Sequence, residues 1–224
     1  WIENYPGKRP YIKSTDDYRI YWNHDYRAVR GDLFFVEKEM NKATSAFNII
    51  NEEWNLKFRN KRKKIVFIEP SRKMKNVYKD PNLINTQLGE LNKDWGLENW
   101  KKFINSFQNE ILFIRSVYED SKYIEGVYEY KSDFRSACAM MSLCDAFVGF
   151  EGGFSHAAAA LKKKAVVLFG GWIHPKITGY NIHTNIYIDI EDSPCGMRNY
   201  CEHCNKCRSL MKAEAIKEEL LKIL

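Results

Sequence analysis

From residue 65 onward, short apolar runs alternate with stretches of helical spacing, and this alternation constrains the fold more than any other feature. The runs "IVFIE" (Ile65–Glu69), "ILFIR" (Ile111–Arg115), "AFVGF" (Ala146–Phe150), "AVVLF" (Ala165–Phe169) and "NIYIDI" (Asn185–Ile190) have the length and composition of buried strands. Between them lie "LENWKKFINSFQ" (Leu97–Gln108), "DFRSACAMMSLC" (Asp133–Cys144) and "SHAAAAL" (Ser155–Leu161), which have helical spacing. Asp133 or Ser132 stands where a helix cap belongs. "YIEGVYEY" (Tyr123–Tyr130) has room for one more short strand, and "EAIKEELLKIL" reads as a closing amphipathic helix. Strands alternating with helices imply right-handed crossovers, so the expected fold class is α/β with a doubly wound, mainly parallel, Rossmann-like sheet.

Residues 1–60 read differently. They are rich in Tyr and Trp and carry two short apolar patches, "LFFVE" and "AFNII", without a complete alternating unit. We read them as the end of another α/β domain, with a linker near Trp54–Lys64. The expected partition is 1–60 for that remainder and linker, 61–208 for the main domain and 209–224 for the closing helix. Because the chain begins at Trp1 and not Met, the start of that domain is expected upstream.

Hydrophobic residues make up 45% of the 224, enough for a globular core and too many for a disordered chain. No apolar run approaches the ~18–20 residues that a membrane span needs. The net charge of +6 suits anionic ligands or an anionic membrane surface. The one dense basic run, "NKRKK" (Asn60–Lys64), reads as a solvated lead-in to a strand, and no nucleic-acid-binding module accompanies it.

The most informative segment is "VGFEGGFSHAAAALKKKAVVLFGG" (148–171). Gly152 and Gly153 lie between a strand and a helix. There they give backbone freedom and close approach, and the first N–H groups of the helix face the bend. With the positive end of the helix dipole this suits phosphate, at the carboxyl edge where open α/β sheets bind ligands. Taken by itself "EGG" is neither a dinucleotide fingerprint nor a Walker loop. Ala157–Ala160 reads as tight helix–sheet packing, and His156 as either a core histidine or a ligand contact.

The surrounding block "FRSACAMMSLCDAFVGFEGGFSHAAAALKKKAVVLFGG" resembles the C-terminal domain of glycosyltransferase family 9, the heptosyltransferase-like enzymes. Gly149, Gly153, His156, Ala158, Ala159, Leu161, Phe169 and Gly170 stand at family positions. Lys93 and Trp95 in "NKDWGLENWKKFI" align with the family's K-x-W-P segment, while "PKITGY", "SPCG…C", "WIENYPGKRPYI" and "DLFFVEKEMN" are also family-like. The resemblance implies a GT-B architecture, with an acceptor domain and a nucleotide-sugar domain facing each other across a cleft. It implies an inverting transfer from a nucleoside-diphosphate sugar, such as a heptose, to a lipopolysaccharide or other surface-glycan or glycolipid acceptor.

The resemblance further implies that no metal is required at the diphosphate, since a helix N-terminus, amides and a lysine stabilise the leaving charge. Transferred by position, Gly152, Gly153, Ser155 and His156 line the diphosphate and Lys93 contacts phosphate. Glu151 stands where the family has Asp, and the longer carboxylate changes its reach toward the donor sugar. Gly96 replaces the family's Pro, which is expected to loosen that loop. The family's catalytic Asp falls upstream of Trp1, so no catalytic residue is assigned. His24 and Asp25 are candidates for the cleft, though surface roles suit them better. The expected location is cytoplasmic, with peripheral contact at the inner face of the membrane. Competing readings are another GT-B enzyme, such as a sugar-nucleotide epimerase, or a non-catalytic nucleotide-sugar-binding module.

"CGMRNYCEHCNKC" gathers Cys195, Cys201, Cys204 and Cys207 around His203. This density suits a tetrahedral zinc held as a structural staple. Reduced structural thiols are the alternative. An Fe–S cluster lacks its closing Cys-Pro, and a disulfide does not suit a cytosolic protein. Cys138 and Cys144 read as buried small apolar residues.

Overall fold

The structure is a computed structural model, and it describes residues 10–15, 19–59, 64–70, 92–117, 121, 123–197 and 201–224. The basic residues Asn60–Lys63 lie outside this description. In chain order the elements are β1 (Tyr11–Ser14), β2 (Ile20–Trp22), α1 (Glu37–Phe58), β3 (Lys64–Ile68), α2 (Leu97–Asn105), β4 (Ile111–Val117), β5 (Val127–Lys131) and α3 (Phe134–Leu143). They continue with β6 (Ala146–Phe150), α4 (Gly153–Ala160), β7 (Lys164–Gly170), α5 (Pro175–Thr178), β8 (Thr184–Tyr187), α6 (Glu202–Leu210) and α7 (Ala213–Ile223).

Strands β3 to β8 form a six-stranded sheet in the order β5-β4-β3-β6-β7-β8, with every pairing parallel. The chain winds outward from β3 in one direction, then returns to its centre and winds outward the other way. The reversal falls between β3 and β6, which pair Val66 with Ala146 and Ile68 with Val148. A crevice opens at such a switch point, beyond the carboxyl ends of the strands.

The strands are near-continuous apolar runs because both faces are covered. On β3, Ile65 and Phe67 join one buried cluster while Val66 and Ile68 join the other, following the period-two alternation of a strand. The first cluster holds the packed faces of α1, α3 and α4, and the second those of α2 and α7. Asp133 caps α3 as expected, its carboxylate accepting from the Ser136 N–H at 2.9 Å.

Two features depart from the sequence reading. "AFNII" is not a separate patch of a linker-bound remnant, because α1 runs from Glu37 through Phe58 and takes in all of it, together with the last residue of "LFFVE". Trp54, expected in the linker, is 1% exposed and sits in the first cluster. The N-terminal hairpin β1–β2 is bound to the far end of the chain, with the Ile20 N–H donating to the Gly196 carbonyl at 2.9 Å. Trp22 and Trp172 meet edge to face at 4.8 Å.

Candidate functional site

The bend after β6 sits at the switch-point crevice. Glu151 is buried, Gly152 is half-buried and Gly153 is exposed, so the turn opens outward. Its glycines do not use the left-handed conformations that the sequence suggests. Gly152 is extended (φ 161°), and Gly153 is the first residue of α4. What Gly153 provides is space: a Cβ there would lie 3.3 Å from the Phe134 ring. Ser155, expected to line a diphosphate, is buried and its hydroxyl is engaged within the turn. It accepts from the Gly152 N–H at 3.1 Å and donates to the Gly152 carbonyl at 2.8 Å. The serine shapes the bend, leaving the first-turn amides of α4 as the donors suited to an anion.

Lys93 comes to the bend from the loop before α2. Its ammonium pairs with the Glu151 carboxylate and lies 4.1 Å from the Trp172 ring centroid. Burial pushes the Glu151 carboxyl upward, but the charge and hydrogen bond of Lys93, with a contribution from His156, outweigh it and hold the group below the usual carboxylate range.

The lysine loop is not loosened by Gly96. Its φ of +92° is closed to proline, so this backbone differs from that of a K-x-W-P segment. Asp94 accepts from the Gly96 N–H at 2.9 Å, and the Trp95 indole, 2% exposed, donates to the Met211 carbonyl at 2.8 Å. Arg208 donates to the Asp94 carbonyl at 2.9 Å.

His156 sits one turn into α4, its Nδ1 2.8 Å from the Tyr180 hydroxyl. Burial lowers the His156 pKa and raises that of Tyr180, so a neutral imidazole faces a protonated phenol. If the phenol donates to Nδ1, Nε2 carries the ring proton and is a donor suited to a phosphate oxygen. Tyr180 also lines a cavity of about 540 Å³ between residues 27–30 and 175–182, whose rim carries Arg27, Arg30 and Lys176. His24 and Asp25 are exposed residues of a turn.

The cysteine segment folds against the Gly170–Trp172 bend, the Cys195 N–H donating to the Gly171 carbonyl at 3.0 Å. Ligand atoms of Cys195, Cys201, His203 and Cys204 all lie within 4.8 Å of one another, so these residues can bind a metal ion. This set takes His203 in place of the expected Cys207. The Cys207 sulfur packs against Gly171, where a Cβ would come within 2.4 Å of it, and lies 3.8 Å from His203 Nδ1. Cys195 and Cys204 are 3.3 Å apart, sulfur to sulfur, and the Cys204 thiol favours the Cys195 thiolate, lowering that pKa to about 6. His203 Nε2 is 3.0 Å from the Glu191 carbonyl; a proton given to that oxygen leaves Nδ1 with the lone pair a metal needs. Cys138 and Cys144 are buried, and burial raises both thiols to about 12, consistent with inert packing.

The sequence pattern pointed to Lys93, Glu151, Gly152, Gly153 and His156, and the fold gathers them at one crevice. It did not reveal Trp172, Tyr180, Arg208 or the Met197 carbonyl, although Tyr180, in "PKITGY", and Met197, within "SPCG…C", lay in segments that already looked family-like.

Taken together, a doubly wound parallel sheet with a glycine bend at its switch point defines a Rossmann-like α/β domain with a ligand crevice at that bend. Residues 130–205 match the family model of glycosyltransferase family 9 (heptosyltransferase), so the resemblance to that family holds over the segment carrying the bend and every cysteine but Cys207. No curated protein matches the chain. Among solved structures, the chain is similar to the ADP-heptose LPS heptosyltransferase II of E. coli, at 15% identity and a TM-score of 0.53. That alignment covers 86% of this chain and 53% of the other. It is also similar to a family 9 glycosyltransferase from Veillonella parvula DSM 2008, at 14% identity and a TM-score of 0.56, with the same coverage. The chain thus spans about half the length of these structures. Among the described residues, no helix is long and apolar enough to cross a membrane.

Proposed function

We propose that this chain is the donor-binding part of a glycosyltransferase that moves a sugar, in the heptose class, from a nucleoside diphosphate to a surface-glycan or lipopolysaccharide acceptor. The observation that carries this reading is the convergence of Lys93, His156 and the α4 amides on the Gly152–Gly153 bend at the switch point. As the bond between the sugar and the diphosphate breaks, negative charge grows on the leaving phosphate. Preorganised amides, a neutral imidazole N–H and an ammonium can stabilise it without a metal at that position. Lys93 passes from the Glu151 carboxylate to phosphate oxygens on binding, and Glu151, so released, accepts from hydroxyls of the donor sugar. An acceptor hydroxyl, deprotonated by a base, displaces the diphosphate with inversion. The Cys195, Cys201, His203 and Cys204 group would hold zinc as a structural ion, away from the chemistry.

Titration calorimetry with ADP, UDP and GDP tests the reading. One nucleotide should bind the wild type, and Gly153→Val should abolish binding while the circular dichroism spectrum is retained, because the branched side chain fills the mouth of the bend. Unchanged affinity in Gly153→Val would place the phosphate site elsewhere. Binding without transfer to any glycan would favour a nucleotide-sugar-binding module.

A further inference from the structure

The cysteine segment and the lysine loop are joined at several points, and the joints flank Lys93 on both sides. Before it, the Asn92 amide donates to the Met197 carbonyl at 2.8 Å. The same carbonyl accepts from the Trp172 indole at 2.6 Å, and the face of that indole carries the Lys93 ammonium. After it, the Asp94 carbonyl accepts from Arg208 and the Trp95 indole donates to the Met211 carbonyl. Lys93 is therefore held through two arms of one segment. Met197 belongs to the first arm, two residues beyond Cys195. Arg208 belongs to the second, on the helix α6 that carries His203 and Cys204.

The two arms meet at the four-residue centre. Cys195 comes from the first arm and Cys201, His203 and Cys204 from the second, and their ligand atoms gather within 4.8 Å. A tetrahedral ion with ~2.3 Å bonds to sulfur would tie one arm to the other. Without it, the spacing between Met197 and Arg208 rests on weaker contacts.

We propose that a thiophilic divalent ion in this centre positions Lys93, so that metal occupancy sets the affinity of the phosphate site. This rests on the donor-binding reading above and extends it. Asn92 and Arg208 are the positioning residues that transmit the effect, and neither is a metal ligand. An ion bound here acts about the lysine without touching the nucleotide.

The test uses the full chain, zinc-loaded and then stripped with a chelator, with metal content measured and titration against ADP, UDP and GDP. Loaded protein should carry one zinc per chain, and its cobalt form should show a thiolate-to-metal charge-transfer band. Stripping should weaken nucleotide binding roughly tenfold to a hundredfold, the effect of misplacing one charged contact. In Lys93→Ala, stripping should change affinity less than about twofold, because the contact it disturbs is already absent. Asn92→Ala and Arg208→Ala should keep the zinc yet bind nucleotide more weakly, which decides the matter even where stripped protein unfolds. Hydrogen exchange at residues 92–95 gives a readout independent of nucleotide, with faster exchange expected on stripping. Failure of the loaded wild type to bind any nucleotide would defeat the donor-binding reading alone. Absence of zinc binding, or unchanged exchange at 92–95 in stripped but folded protein, would overturn the coupling.

Discussion

Lys93 and Glu151 are counter-ions in a place largely shielded from water, with side-chain exposures of 14% and 9%. Replacing the lysine alone leaves a buried carboxylate, which costs about 3–5 kcal/mol. The pH dependence reverses as well. In the wild type the folded carboxyl lies below its unfolded value, so its stabilisation is present above the unfolded pKa and is lost as pH falls through the folded one. In Lys93→Met the upward push of burial, the largest influence, is opposed only by His156 and Thr178. That contribution is then present below the unfolded pKa and lost as pH rises. His156 and His183, both lowered by burial and the latter to about 4, add a loss on acidification in either protein. The His183 contribution cancels in the difference between the two unfolding curves, which leaves the carboxylate together with the change at His156, whose pKa Lys93 also lowers. Urea melts from about pH 5 to 8 should show the Lys93→Met deficit growing toward neutrality. Adding Glu151→Gln to that variant should remove the growth and restore part of the stability. A deficit independent of pH would mean that Glu151 is solvated.

The central strands β3, β4, β6 and β7 were legible because they are apolar on both faces, and α2, α3 and α4 because each starts at a glycine or a capping residue. Helix α1 was not, because its buried residues are only Ala43, Ile50 and Trp54 among many charged ones, and tertiary packing decides its state. Three of the four candidate metal ligands, Cys195, Cys201 and Cys204, were legible and the fourth was not, for a related reason. Counting cysteines picks Cys207, but on α6 His203 and Cys207 are one turn apart on one face, and only the fold decides which reaches the centre. The supports of Lys93 left no trace in the sequence, since Met197, Asp94 and Met211 act through carbonyls that every residue has. Gly96 misled in the opposite direction: its departure from the family proline looked like slack and is instead a conformation fixed by Asp94. Gly96→Pro restores the family residue, yet it should destabilise the protein by about 3 kcal/mol and weaken nucleotide binding, because proline's φ near ~−65° cannot start α2 from this backbone. Melting curves and calorimetry on the variant check both effects. A stable variant with wild-type affinity would show that the loop accepts either conformation.

At the scale of the whole molecule, the boundary expected near residue 60 crosses a continuous core. Helix α1 lies before it, but Trp54 packs beside Tyr128, with ring centroids 6.1 Å apart, in the cluster that covers one face of the sheet. Arg135 at the start of α3 donates to Glu39 and to the Phe34 carbonyl, closing the other end of the same contact. Helix α1 thus supplies part of the wall of the parallel-sheet domain. Truncating a buried tryptophan costs about 3–5 kcal/mol. For a chain of this size that corresponds to a drop in Tm of roughly 6–20 °C. Trp54→Ala should show that drop without losing nucleotide affinity in the folded protein, because the tryptophan lies away from the bend. Trimming the chain to residues 61–224 should have a larger effect, since it exposes the face that Ala43, Ile50 and Trp54 cover, and the trimmed protein should associate. Light scattering and thermal melts on both proteins measure this, and a trimmed chain that stays monomeric with the parent melting temperature would place α1 outside the domain's core.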